Sequence, residues 1–405
     1  MGLIVQKYGG TSVADLDCIR RVATTIGRTR AQGHRVVAVV SAMAGETNRL
    51  VSLGEAASSE GLAREQDVLV STGEQVTAAL TAMVLEADGV PARSFLGSQI
   101  PIETDAAHGR ARITRIETAS IEAALAGGQV AVVAGFQGVG QDGAITTLGR
   151  GGSDTTAVAL AAAMNADACE IYTDVDGVFT SDPRLVPGAH KLDRISHDEM
   201  LELAGLGAKI LHTRSVAFAK RYGVPLHVRS SFHEGEGTWV VKEESSMEEI
   251  MVAGVACDRN QAKLTLERVP DKPGVAAKLF GPIAAAGIVV DMIIQNASAD
   301  GTTDLTFTVP QSDYERARKM VDRIRDEVGA AEVRSDLNVA KVSIVGLGMR
   351  THAGVAARTF EVLAAEGINV QMISTSEIKI SVVVNAKDSE RAVRALHDTF
   401  IERSS

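Results

Sequence analysis

Several things are scarce in this 405-residue chain, and each scarcity removes a class of explanation. Basic residues fall short of acidic ones, 41 against 51, leaving a formal net charge of -10. That balance argues against nucleic acid or an anionic membrane as the main partner, so any cations that meet an anionic ligand must be gathered locally. Cysteine occurs three times, as Cys18, Cys169 and Cys257, far apart and in no CxxC or Cys/His cluster. Such spacing reads as reduced thiols of a cytoplasmic protein. The nine histidines never fall at HExxH or similar spacing, so no metal site is expected from them. The N-terminus has no basic stretch followed by an apolar one, and a signal peptide is not expected. Runs such as "ALAAAMNADA" and "VAVVAGF" are too short to cross a bilayer. Aromatic residues make up only 3% of the chain, while Ala, Val and Gly are plentiful. What remains is the composition of an α/β protein, long enough for two or three domains.

Two nucleotide-binding signatures are also missing. No GxxxxGK[ST] occurs, and the one GxGxxG, "GVGQDG" (Gly138 to Gly143), is followed by the strand-like "AITTLGR". A dinucleotide fingerprint needs a helix after its last glycine, so a hairpin is the better reading. From residue 1 to about 230, apolar runs ("RVVAVVS", "QVAVVAGF", "CEIYTDV") alternate with helical patterns ("DLDCIRRVATTIGRTRAQG", "EQVTAALTAMVLEADG", "SDTTAVALAAAMNA"). Alternation of this kind predicts a mainly parallel sheet covered by helices. The stretch "SFHEGEGTWVVKEESSMEE" then reads as a linker. Beyond it, "AKLTLERVPDKPGVAAKLFGPIAAAGIVVDMII" returns as "AKVSIVGLGMRTHAGVAARTFEVLAAEGINVQMI", a duplicated domain. Each copy reads strand, helix, strand, strand, helix. The first copy has a last strand in "AEVRSDLN"; the second has none left, and "EIMVAGVAC" before copy one is expected to fill that gap.

Four stretches carry candidate chemistry. In "KYGG", Lys7 ends a strand and Gly9 and Gly10 leave backbone N–H groups open to an anion, with a helix expected from about Ser12. The competing reading is an exposed lysine before a tight turn. In "GRGGSDTTA", Arg150 stands beside Gly151 and Gly152 at a helix start, where Ser153 or Asp154 would serve as N-cap whatever the function. Capping leaves the arginine and the paired glycines unexplained, whereas a planar guanidinium suits a carboxylate. "YTDVDGVFTSDPRLVPGA" offers Asp174, Asp176, Asp182 and Arg184 after a buried strand, either as plain turn residues or as ligands of ribose or magnesium. Glu74 forms an S-x-x-E capping box with Ser71, which alone would account for it; Ser196 and Glu199 form a second.

Taken in order, "KYGGTS", "GRGGSDTTA", "TDVDGVFTSDPR" and "GAKILH" resemble the aspartate kinases of the amino-acid-kinase family, and the duplicate resembles tandem ACT domains. The resemblance covers nearly the whole chain and implies a three-layer, mainly parallel α/β sandwich followed by two α+β ferredoxin-like (βαββαβ) ACT domains. The implied division is a catalytic domain at 1–245, a first ACT domain at 262–338, and a second built from 248–257 plus 339–405. It further implies transfer of the ATP γ-phosphate, with Mg2+, to the side-chain carboxylate of L-aspartate, the first step toward lysine, threonine and methionine.

By the same resemblance Lys7, Tyr8, Gly9, Gly10 and Ser41 lie by the phosphates, and Thr47 and Glu74 hold aspartate. Arg150, with Gly151, Gly152 and Ser153, clamps a substrate carboxylate, and Asp154 organises the lysine. Thr173, Asp174, Thr180, Asp182, Arg184 and Lys209 bind nucleotide. Lysine and threonine are the implied effectors, received by Asp271, Gly274, Asp291 and Gln295 in copy one and Asn369, Val370, Ser374 and Thr375 in copy two. A homo-oligomer is expected, or a hetero-oligomer with a shorter product starting at Met247 or Met251. The competing expectations are a kinase of the same fold acting on another acid or on uridylate, and an amino-acid sensor without turnover.

Overall fold

The structure, a computed structural model, describes residues 2–58, 62–206, 210–243, 252–297, 300–350 and 354–401. The chain divides into two compact units. The first takes in residues 1–179, 191–205 and 209–247; the second takes in 180–190, 206–208 and 248–405.

In the first unit β1 (Leu3–Tyr8) passes through a 3-10 turn, Gly10–Val13, before α1 (Leu16–Ala31) begins. The helix expected from Ser12 therefore starts later, because Asp15 is the residue that caps it, accepting the Cys18 N–H at 2.8 Å. Its buried positions Ile19, Val22, Ala23 and Ile26 recur at helical spacing and face the sheet. There follow β2 (Arg35–Val40), α2 (Glu46–Ala57), α3 (Ala63–Ala87), β3 (Ala92–Phe95), β4 (Ile102–Thr104) and β5 (Ile113–Ile116). Next come α4 (Ala119–Ala126), β6 (Val130–Ala134), β7 (Gln137–Val139), β8 (Ile145–Thr147), α5 (Gly152–Ala163) and β9 (Ala168–Thr173). The unit closes with β10 (Arg194–Ser196), α6 (His197–Gly205), α7 (Thr213–Tyr222), β11 (Leu226–Ser230) and β12 (Thr238–Val241).

Eight of these strands form one sheet in the order β10-β12-β11-β9-β1-β2-β6-β3, parallel throughout except for β11 with β12. The central strands are buried on both faces, which is why their sequences are continuous apolar runs. Tyr8, Val36, Ala38, Val40, Val130 and Val132 pack with α1 and α3 on one face, and α5 covers β1 on the other. The expected linker is in part β12: Trp239 on it stacks on His227 of β11 at 4.0 Å. Its four residues follow a glycine-rich turn, and that turn chemistry masked the strand. "GVGQDG" is the hairpin turn between β7 and β8, which pair antiparallel within a small second sheet, β5-β4-β7-β8. Helix α3 is long and apolar enough to span a bilayer, yet half of its apolar window is buried in the protein, together with Asp67 and Glu74.

The second unit is an antiparallel six-stranded sheet. It comprises β13 (Gly254–Pro270), α8 (Val275–Ala285), β14 (Ile293–Ala297), β15 (Thr302–Val309), α9 (Tyr314–Val328) and β16 (Glu332–Val345). It continues with α10 (Val355–Ala365), β17 (Met372–Thr375), β18 (Lys379–Asn385) and α11 (Ser389–Phe400), giving the order β14-β15-β13-β16-β18-β17. The long strands β13 and β16 each serve both copies. Residues 254–258 pair with 341–345 of copy two, and residues 261–267 pair with 332–339, register shifts separating the segments. One core gathers under α8 and α9 and another under α10 and α11. Residues 180–190 belong to the latter: Val186 is buried in it, and Arg394 Nε donates to the Leu185 carbonyl at 2.7 Å.

Candidate active site

The carboxyl ends of β1, β2, β6 and β9 lie side by side, since Tyr8 pairs with Val40 and Tyr172, and Val40 with Ala134. The chain leaves β1 for β2 on one side and returns as β9 on the other, the switch point where α/β sheets take ligands. Lys7 stands at this edge. Its Nζ is 2.6 Å from Asp154 Oδ1 of α5, with the two side chains only 11% and 14% exposed. The contact is Coulombic: no well-directed hydrogen bond reaches that oxygen, so the carboxylate keeps acceptor capacity to spare. Gly10 allows a close approach to the β2–α2 loop, for a Cβ there would stand 3.0 Å from the Ala42 carbonyl oxygen. Ser41 N–H donates to the Tyr8 carbonyl at 3.1 Å and closes the same edge. The Tyr8 side chain itself is core, stacked on Tyr172 at 4.8 Å, and its hydroxyl donates to Gln6. Its side chain therefore cannot reach a ligand, and its carbonyl is taken by Ser41.

The second wall is the start of α5. Gly151 is the N-cap residue, at φ 69°, and no side chain caps the helix. Ser153 and Asp154 instead sit inside the first turn, so the capping explanation fails and the helix N-terminus keeps its positive end open. A Cβ at position 151 would lie 2.2 Å from Cγ of His212, which leaves glycine as the one residue that fits. Arg150 is exposed immediately before it. His212, which caps α7, went without a role in the sequence because nothing but folding brings it to Gly151. Burial pushes its imidazole below the ordinary value, against the pull of Asp154.

Glu74 is the third element, and the capping-box reading is wrong for it. Glu74 and Ser71 lie in the interior of α3, and the Ser71 hydroxyl donates to the Val68 carbonyl. Ser196 and Glu199, by contrast, make the full reciprocal box at the start of α6. Glu74 is 3% exposed; Oε1 accepts the Ala42 N–H at 3.1 Å and Oε2 has no partner. Burial pushes its carboxyl up to about 7, opposed by that backbone donor. The unused oxygen is a buried acceptor for which the described residues supply no donor. Thr47, half-buried in the first turn of α2, belongs to the neighbouring loop-helix junction.

Thr173 ends β9, its hydroxyl donating to the exposed Asp174 at 3.1 Å. Asp176 turns aside to His233. Thr180, Asp182 and Arg184 fall in the second unit. The Thr180 hydroxyl is buried against Nε2 of His397 at 2.9 Å, and Arg184 grips Asp182 through Nε and Nη2. Lys209, Met247 and Met251 lie outside the described residues. Among the effector candidates, Asp271 and Gly274 lie at the exposed loop into α8, where Gly274 takes φ 94°. Asp291 is engaged by the buried Lys341 of copy two. Gln295 on β14 and Ser374 and Thr375 on β17 are exposed on the two outermost strands; Asn369 is exposed and Val370 half-buried before β17.

The family model for the amino acid kinase family matches residues 2–230, and the ACT domain model matches 267–323 and 342–400. An aspartate kinase from Stutzerimonas stutzeri is 57% identical over 99% of this chain and 97% of its own. Escherichia coli aspartokinase III solved with aspartate and ADP is 30% identical, with a TM-score of 0.82 over 99% of this chain and all of its own. The same enzyme solved with lysine and aspartate gives a TM-score of 0.79 at 29% identity, over 99% of this chain and all of its own.

Proposed function

The chain belongs to the amino acid kinase family and within it to the aspartate kinases, and from that membership we infer that it transfers the γ-phosphate of ATP to the side-chain carboxylate of L-aspartate. The observation that carries the mechanism is the Lys7–Asp154 pair beside bare backbone at the carboxyl edge of the sheet. The acceptor carboxylate is already ionised near neutral pH, so no strong base is required. What has to be supplied is alignment of two anions that repel each other, together with charge neutralisation as the phosphoryl group moves. Lys7 neutralises the transferring group, Asp154 holds Lys7 in line, and the N–H groups of Gly10 and the first turn of α5 receive oxygens; the Gly9 N–H, expected to be open, is spent on the Tyr172 carbonyl at 3.3 Å. Glu74 takes the substrate ammonium and Arg150 a substrate carboxylate, with Thr47 alongside. Mg2+ arrives with the nucleotide. Among the described residues no group of three potential metal ligands gathers. Asp174, exposed at the end of β9, is the carboxylate to hold it, and bound there the ion would neutralise phosphate charge.

Two outcomes test these roles. Arg150→Ala is expected to raise the aspartate KM roughly tenfold to a hundredfold, with the ATP KM little changed, in initial-rate measurements. Glu74 must be ionised to bind an ammonium, and burial holds its carboxyl at about 7 in the empty site. The aspartate KM is therefore expected to fall about tenfold from pH 6 to pH 8 and then level off, a dependence that Glu74→Gln abolishes.

We further propose lysine and threonine as feedback effectors of the second unit, acting as an oligomer through the outermost strands β14 and β17, in the cytoplasm. Glycines in left-handed conformation before α8 and α10, Gly274 and Gly354, support an amino acid carboxylate at each helix start. Aspartate-dependent ADP release, measured with lysine and threonine separately and together, tests reaction and control at once. No release with aspartate rejects the reaction; release untouched by either amino acid rejects the control.

A further inference from the structure

Asp67 is a second buried acid on α3 that the reaction does not use. It is 1% exposed and lies seven residues before Glu74, two turns along the same buried face. Its carboxylate accepts from His108 Nδ1 at 2.7 Å, from Thr147 Oγ1 at 2.5 Å and from the Gly109 N–H at 3.1 Å. Burying a carboxylate is costly, and an apolar side chain would fill the space as well, so what the network supplies is fixed geometry. The geometry it fixes is that of the segment leading into Arg150. The Gly109 carbonyl abuts Gly149, where a Cβ would stand 2.9 Å away. The Ala111 N–H donates to the Thr147 carbonyl at 2.9 Å, and Arg214 donates at 2.7 Å to the carbonyls of both Leu148 and Ala111. Residues 147–149 are thus clamped by the 109–111 loop, and that loop is tied to α3 by Asp67.

We propose that Asp67 and His108 are positioning residues for the aspartate site, setting where Arg150 stands relative to Glu74. One helix then carries both references: Glu74 for one end of the substrate, and Asp67, through the loop, for the other. The inference rests on Arg150 and Glu74 holding the two ends of aspartate. Neither positioning residue touches the substrate, so the effect is on alignment and not on the transferred charge.

Initial rates and melting temperatures of the full chain decide it, using Asp67→Asn, His108→Ala, His108→Asn and Arg150→Ala. Expected are an aspartate KM raised about tenfold in Asp67→Asn and His108→Ala, and an ATP KM within about twofold of wild type. His108→Asn, which keeps a donor for Asp67, should recover most of the loss. If Arg150→Ala raises the aspartate KM but His108→Ala does not, the positioning role is overturned and the site reading stands. If Arg150→Ala leaves that KM unchanged, the site reading falls and the positioning role with it. Equal rises in both substrates' KM, or a lowered melting temperature with unchanged KM, also overturn the proposal. Should Asp67→Asn fail to fold, the two His108 variants carry the decision alone.

Discussion

Lys7→Ala is expected to lower kcat by about two to three orders of magnitude while the protein stays folded, the scale seen when one pre-placed group that stabilises transition-state charge is removed. Two effects combine. The ammonium no longer meets the phosphoryl oxygens, and Asp154, left 14% exposed and without its cation, brings unpaired negative charge to the place where ATP must sit. A double variant separates them. Adding Asp154→Asn removes the stranded charge, so the melting temperature should recover while kcat stays low. Near-normal kcat in Lys7→Ala, with steady-state and single-turnover rates agreeing, would remove the lysine from the chemistry and leave it an ordinary structural ion pair.

The second large effect concerns stability. Residues 254–258 close the sheet of copy two by pairing with 341–345, and Val252 and Val255 are buried in its core. Deleting residues 252–258 removes two buried valines, about 1.5–3 kcal/mol each, and a ladder of backbone hydrogen bonds at about 1 kcal/mol apiece. Together these rival the stability of a whole domain. The second unit is expected to melt at least about 10 °C lower or to lose its cooperative transition. Calorimetry showing a shift within experimental error would mean that copy two folds without that strand.

How much was visible beforehand depended on whether the cause is local. Glycines at strand ends, as in "KYGG" and "GRGG", betray close backbone approach and mark the sheet edge correctly. The alternation of apolar runs with helical patterns exposes the parallel sheet, and the missing last strand of copy two points to residues before copy one. Spacing alone leaves Glu74 ambiguous because S-x-x-E has a sufficient local explanation; only the length of α3, which begins at Ala63, shows that no helix starts there and that the capping box fails. Asp67, His108 and Thr147 meet across dozens of residues, as His212 meets Gly151, and no spacing rule reaches that far. The "TSDPR" stretch carries turn chemistry that fits many settings, so nothing in it revealed that Thr180 and Val186 are built into the other unit.

That exchange of residues 180–190 limits how the protein can be taken apart. A fragment stopping at residue 243 would retain Leu185, Val186 and Ala189 but lack α11 and the strands that shelter them, leaving an oily strap in water. The fragment beginning after 243 would have the matching hole in its interior. Severed at the obvious seam, the halves would be sticky on one side and hollow on the other, so the kinase portion is not a detachable enzyme to which control was merely appended.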